Sequence, residues 1–85
     1  MGETIEKRLS DLSITLPTPA APVANYVAFS RTGNQLLTSG QLPLKDGRLT
    51  ATGLLGREVD VAAGEEAAKY CAVNILAQAR AALGD

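Results

Sequence analysis

The sequence contains no histidine and no tryptophan, a single cysteine, and only three aromatic residues, two Tyr and one Phe. Each shortage excludes something. One thiol and no imidazole cannot supply the usual ligand set of a zinc or other soft-metal site, so no metal and no cofactor is expected. The lone Cys71 cannot close an internal disulfide, which fits a reducing compartment, and a cytoplasmic location is expected. No apolar run approaches the ~20 residues that span a bilayer, so no membrane association is expected. The N-terminus, Met-Gly-Glu-Thr-Ile-Glu-Lys-Arg, mixes charges and has no apolar core of a secretory signal. Gly2 does not read as a myristoylation site, because Glu6 stands where Ser or Thr is wanted. Eight Lys and Arg against nine Asp and Glu leave a formal net charge of -1. With no basic stripe, phosphate neutralisation is unsupported and nucleic acid is not an expected partner.

What remains is a chain of 85 residues, enough for one small domain, with a hydrophobic fraction of 46%. Fourteen of the apolar residues are alanine, which permits close helix–sheet approach but contributes little buried area per residue. Thr4 can cap a short helix over 4–12, with Ile5, Leu9 and Leu12 at i, i+4 and i+7. A stiff linker follows, carrying Pro17, Pro19 and Pro22. Residues 1–24 therefore read as an N-terminal helix and Pro-rich linker, and residues 25–85 as a partial domain, because its few short strands leave an edge open beneath one long helix.

Asn25–Thr32 and Gln35–Ser39 read as two strands joined at Gly33-Asn34, a hairpin signal. A two-residue turn sets Thr32 opposite Gln35, Ser30 opposite Leu37 and Ala28 opposite Ser39. With period-two alternation, Val27, Phe29, Leu36 and Thr38 form an apolar wall for a helix. Tyr26, Ser39 and Gln41 gather on the other face. Lys45-Asp46-Gly47-Arg48 marks a second hairpin, with Leu42, Leu44, Leu49 and Ala51 about it. Gly53-Leu54-Leu55-Gly56 reads as a connector; no phosphate-cradle spacing is present. Asp60 caps a long helix, Val61–Leu83, that Gly84 stops. Its buried face is expected to carry Ala68, Cys71, Ala72, Ile75, Ala79 and Leu83, with Glu66, Lys69, Asn74 and Gln78 mostly turned away. Cys71 reads as a small buried hydrophobe rather than a nucleophile.

The chemistry concentrates in Leu36-Leu37-Thr38-Ser39-Gly40-Gln41-Leu42-Pro43. Here a hydroxyl, a bare backbone and an amide sit side by side where a strand must end, since Pro43 cannot donate to a ladder. Such a strand end suits a small anionic ligand.

Taken with Pro22-Val23-Ala24-Asn25-Tyr26-Val27, the Gly33-Asn34 turn and the Ala-rich helix, this segment resembles the N-terminal half of the Rid family. These are YjgF-type reactive intermediate deaminases, also labelled L-PSP endoribonucleases. The resemblance implies an α+β, chorismate-mutase-like fold, in which antiparallel strands pack against one long helix preceded by a short N-terminal one. It further implies a homotrimer with pockets between subunits and the hydrolysis of reactive 2-imino acids to 2-keto acids and ammonia. Tyr26, Ser39, Gly40 and Gln41 are then the candidate substrate-binding residues, with no catalytic residue assigned. The family's carboxylate-binding arginine and water-orienting glutamate belong to a later half beyond these motifs, so the chain by itself is expected to be inactive. The same resemblance leaves open a non-catalytic member that binds small metabolites or partner proteins, and an endoribonuclease.

Overall fold

The computed structural model describes residues 4–19, 21 and 27–84. Helix α1 spans Ile5–Asp11, and the Thr4 hydroxyl accepts from the Lys7 N–H as its cap. It ends in a Schellman motif: the Ser13 N–H donates to the Ser10 carbonyl and the Ile14 N–H to the Leu9 carbonyl. Ser13 takes the left-handed position, at φ 57°, that glycine usually fills. Of the three apolar residues expected to dock this helix, Leu9 is buried while Ile5 and Leu12 stay exposed. Leu9 packs with Leu16 and Ala77, flanked by Ile14 and Val73. The helix and the following strap thus clasp the flank of the long helix.

Strands β1 (Phe29–Thr32) and β2 (Gln35–Thr38) form an antiparallel hairpin in the expected register, with Ser30 opposite Leu37 and Thr32 opposite Gln35. Gly33 alone of the two turn residues has positive φ, the pattern of a II′ turn. Leu36 and Thr38 are half-buried, and Leu37 between them is exposed, as alternation requires. Val27, placed in the apolar wall by the same alternation, lies outside the strand and is exposed. Strands β3 (Leu44–Lys45) and β4 (Arg48–Leu49) make a second hairpin, separate from the first. Asp46 and Gly47 at its tip both have positive φ, as a I′ turn demands. The connector folds on itself: the Leu54 N–H donates to Glu58 Oε1, and the Val59 N–H to the Leu54 carbonyl.

Helix α2 spans Val61–Leu83, with Asp60 accepting from the Ala63 N–H and Gly84 stopping it at φ 91°. It packs on both hairpins. Its buried face differs from the one its hydrophobicity suggests. Ala77 (0% exposed), Gln78 (2%) and Asn74 (4%) face inward, whereas Ile75 (41%) and Leu83 (49%) are exposed, as are Ala68 and Ala72. Cys71 and Ala79 are half-buried. The reason is that α2 lies against irregular backbone between the hairpins, whose carbonyls need donors. Asn74 supplies such a donor, Gln78 donates to the Gln41 side chain, and alanine lets the helix come close enough for both. Gly64 lets the connector approach the start of α2, since a Cβ there would come within 2.5 Å of the Leu55 side chain.

Candidate functional site

The Ser39-Gly40-Gln41 segment begins where β2 ends. The Ser39 N–H donates to the Ala28 carbonyl at 2.9 Å, continuing the ladder by one pair. Its hydroxyl donates to that same carbonyl at 3.2 Å. One acceptor therefore fixes both the backbone and the side chain of Ser39, leaving the hydroxyl oxygen's lone pairs to accept.

Alternation then breaks at Gly40. Gln41 does not join Ser39 on the far face as period two requires; its side chain turns toward α2, where Gln78 Nε2 donates to Gln41 Oε1 at 3.4 Å. Gln41 Nε2 in turn donates to the Ser39 carbonyl at 3.3 Å. Gln41 thus braces the Ser39 backbone from behind. Gly40 has no positive φ, and a Cβ built on it would meet nothing within 4 Å among the described residues. Neither turn geometry nor crowding by the described residues demands a glycine there. Its exposed backbone is open to approach by a ligand or another chain. Tyr26, the fourth candidate, lies outside the described residues.

The downstream half of the segment is held by Asn74. Its Nδ2 lies 3.0 Å from the Leu42 carbonyl, 3.0 Å from the Leu44 carbonyl and 2.8 Å from the Tyr70 carbonyl. The Pro43 carbonyl between them accepts from both the N–H and the hydroxyl of Thr50. Pro43 forces the chain out of the sheet, and these donors satisfy the carbonyls so freed. Among the described residues, no buried side-chain nitrogen or oxygen lacks a partner. Asn74 and Gln78, one helical turn apart, were expected to face away; they are the supports of the site. The signal in the sequence was two amides at i and i+4 beside alanines, which periodicity of apolar residues alone passes over.

The groups about the site can donate and accept hydrogen bonds and can orient a small polar molecule. Among the described residues, no group of three His, Cys, Asp or Glu could hold a metal ion. No described helix is long and apolar enough to cross a membrane.

Comparison with known proteins places this geometry. The family model "YjgF/chorismate mutase-like, putative endoribonuclease" matches residues 6–85, which takes in the N-terminal clasp as well as the hairpins and α2. Protein TCP17 of Trypanosoma cruzi is 44% identical over 81 residues, 95% of this chain and 51% of that protein. The crystal structure of Atu1372 of Agrobacterium tumefaciens, a protein of unknown function, shares 54% identity with a TM-score of 0.78, covering 94% of this chain and 46% of that one. A "putative endoribonuclease" from Shewanella oneidensis shares 38% identity with a TM-score of 0.92, covering 98% of this chain and 55% of that one. The chain spans about half the length of these relatives. With its α+β hairpins, its capped long helix and its Ser-Gly-Gln segment, the chain belongs to the YjgF/chorismate mutase-like family.

Proposed function

We propose that Ser39, Gly40 and Gln41, with Tyr26, form one wall of a pocket in a Rid-type enamine/imine deaminase. Its substrate is a 2-imino acid, and its products are a 2-keto acid and ammonia. The other walls come from the remaining length of the longer relatives and from neighbouring subunits of a homotrimer.

The observation that carries this reading is the brace behind an open glycine. Ser39 is fixed on the Ala28 carbonyl, and Gln41 is tied to Gln78. Between them, Gly40 presents bare backbone that nothing in the described chain requires. A pocket wall needs groups that are fixed in position yet open to a ligand. In the reaction, water adds to the imine carbon, a proton moves to nitrogen, and the tetrahedral adduct collapses to the ketone with loss of ammonia. Ser39 and Tyr26 can hold the substrate by hydrogen bonds. Neither is a good general base at neutral pH without a carboxylate or imidazole beside it. The proton transfers and the carboxylate grip therefore fall to groups outside this segment, an arginine being the planar choice for the carboxylate.

The test is ammonia release from freshly generated 2-aminoacrylate, using a protein of the relatives' full length that contains this chain. Ser39→Ala is expected to lower kcat/KM at least ~10-fold, about 1.4 kcal/mol of transition-state binding, while shifting folding stability by less than ~1 kcal/mol. No acceleration by the parent protein overturns the reading. Thermal stabilisation by 2-keto acids without turnover points instead to a binding member of the same fold.

RNA cleavage is the second reading, favoured by the printed descriptions of the matching family and of the Shewanella structure. The net charge of -1, the lack of histidine and the three aromatic residues weigh against it. It gains ground if purified protein cleaves RNA and a single surface substitution in this chain abolishes the cleavage.

A further inference from the structure

A second cleft lies away from the Ser39 segment, on the flank of α2 that the N-terminal strap covers. It measures about 370 Å³ and is walled by Leu16 and Pro17 of the strap, Leu44 of β3, and Tyr70 and Val73 of α2. A neighbouring hollow of about 360 Å³ shares Pro17, Leu44 and Asp46 and continues it toward Gly47 and Asn74. This size is within the range of small-molecule pockets, ~300–1,000 Å³, and mainly apolar walls with a few polar groups at the mouth are their usual make-up.

The polar groups at this mouth carry opposite charges. Lys45 and Asp46 both line it. The Lys45 ammonium sits 5.7 Å from the centroid of the Tyr70 ring, a cation–π distance that holds it against the cleft wall. Tyr70 foremost, and then Asp46 and Glu66, raise the Lys45 pKa above its usual value. The Asp46-Gly47 turn fixes the hairpin tip with both residues at positive φ, so the carboxylate is carried on an ordered turn. A simple anion entering here would gain Lys45 but meet Asp46, with Glu66 nearby. A simple cation would gain Asp46 but meet Lys45. A molecule bearing both charges close together, with an apolar body behind them, satisfies every wall.

We propose that the cleft between the strap and the β3–β4 hairpin binds a free amino acid with an apolar side chain, its carboxylate on Lys45 and its ammonium on Asp46. The side chain lies between Leu16, Pro17, Leu44 and Val73. This site is separate from the Ser39 wall, meeting its supports only at Asn74, and does not rest on the deaminase reading.

The experiment is calorimetric titration of the full chain with L-leucine, with amide chemical shifts followed in parallel. Leucine is expected to bind and to shift Lys45, Tyr70 and Val73. Two analogues separate the charges: 4-methylpentanoate lacks the ammonium, and 3-methylbutylamine lacks the carboxylate. Each is expected to bind at least ~10-fold more weakly. Asp46→Asn keeps a residue that tolerates positive φ, so the turn survives while the ammonium partner is lost. It and Lys45→Met are each expected to weaken leucine binding at least ~10-fold. The proposal is overturned if leucine does not bind at millimolar concentration, if either analogue binds as tightly, if both variants bind normally, or if the shifts map to Ser39–Gln41.

Discussion

Asn74 shows how much one side chain can organise. One amide nitrogen, 4% exposed with its residue, faces three carbonyls from two different segments. Replacing it by alanine removes the donor, leaves the Leu44 carbonyl without this partner and the Leu42 carbonyl with the Leu44 N–H alone, at a cost of about 1–3 kcal/mol. Asn74→Asp is the sharper substitution, because it puts a carboxylate where carbonyl oxygens converge. Burial and those dipoles would raise the folded-state pKa of the new carboxyl above its unfolded value of about 3.9. The folded state then binds more protons at this site than the unfolded one, so the substitution should cost least, relative to wild type, below about pH 4 and cost more as pH rises through the raised pKa. Urea denaturation of the wild type and both variants at pH 4 and pH 7 would check this. An equal difference in urea midpoint between wild type and Asn74→Asp at the two pH values would show that Asn74 is not buried as described.

At the scale of elements, the two helices teach different lessons. The boundaries of α2 were legible because Asp60 and Gly84 are strong start and stop signals. The two turns were legible because Gly33-Asn34 and Asp46-Gly47 admit few geometries, and the register followed from them. The buried face of α2 was not legible. Nine of its 23 residues are alanine, so apolar periodicity gives a weak contrast, and inward positions went to two amides, Asn74 serving the Leu42 and Leu44 carbonyls and Gln78 the Gln41 side chain. Of the candidate site, Ser39 at the strand end followed from the register. The turning of Gln41 toward Gln78 did not, because it depends on where the chain leaves the sheet at Gly40. A pair of substitutions tests the corrected face. Ala77→Val adds volume at a fully buried position and should cost about 1–3 kcal/mol. Ile75→Ser, on the exposed side, should change the stability of this chain by less than ~0.5 kcal/mol. The reverse order in thermal melts would restore the face that periodicity suggested. The end of α1 offers a gain instead. Ser13 holds a left-handed φ in a Schellman motif, so Ser13→Gly should stabilise the chain by up to about 1 kcal/mol, read as a raised urea midpoint.

For the whole molecule, surface area and shape set the terms. The chain exposes 6436 Å², against about 4,800 Å² expected for a folded monomer of its mass, 8.8 kDa. Its radius of gyration is 14.3 Å, against about 12 Å for a compact domain of this length. Its extents of 44 × 35 × 20 Å describe a slab one helix and one sheet layer thick. Among the described residues, Leu9, Leu16, Val59 and Ala77 are the apolar ones buried within it. Leu37 on the outer face of the first hairpin, Leu54 and Leu55 on the connector, and Ile75, Leu76 and Leu83 on α2 are among the large apolar side chains left exposed. Exposure at this scale, on both faces of the slab, favours association over solitary folding. The isolated 85-residue chain should therefore show a melting temperature that rises with protein concentration, because association stabilises the folded state by mass action. Sedimentation should likewise shift from monomer toward larger species across the micromolar range. Leu37→Lys and Ile75→Lys would place charge on opposite faces of the slab. Whichever of them abolishes the concentration dependence identifies the associating face. A chain that stays monomeric at high concentration and still unfolds cooperatively, with stability above about 5 kcal/mol, would show that this slab needs no partner.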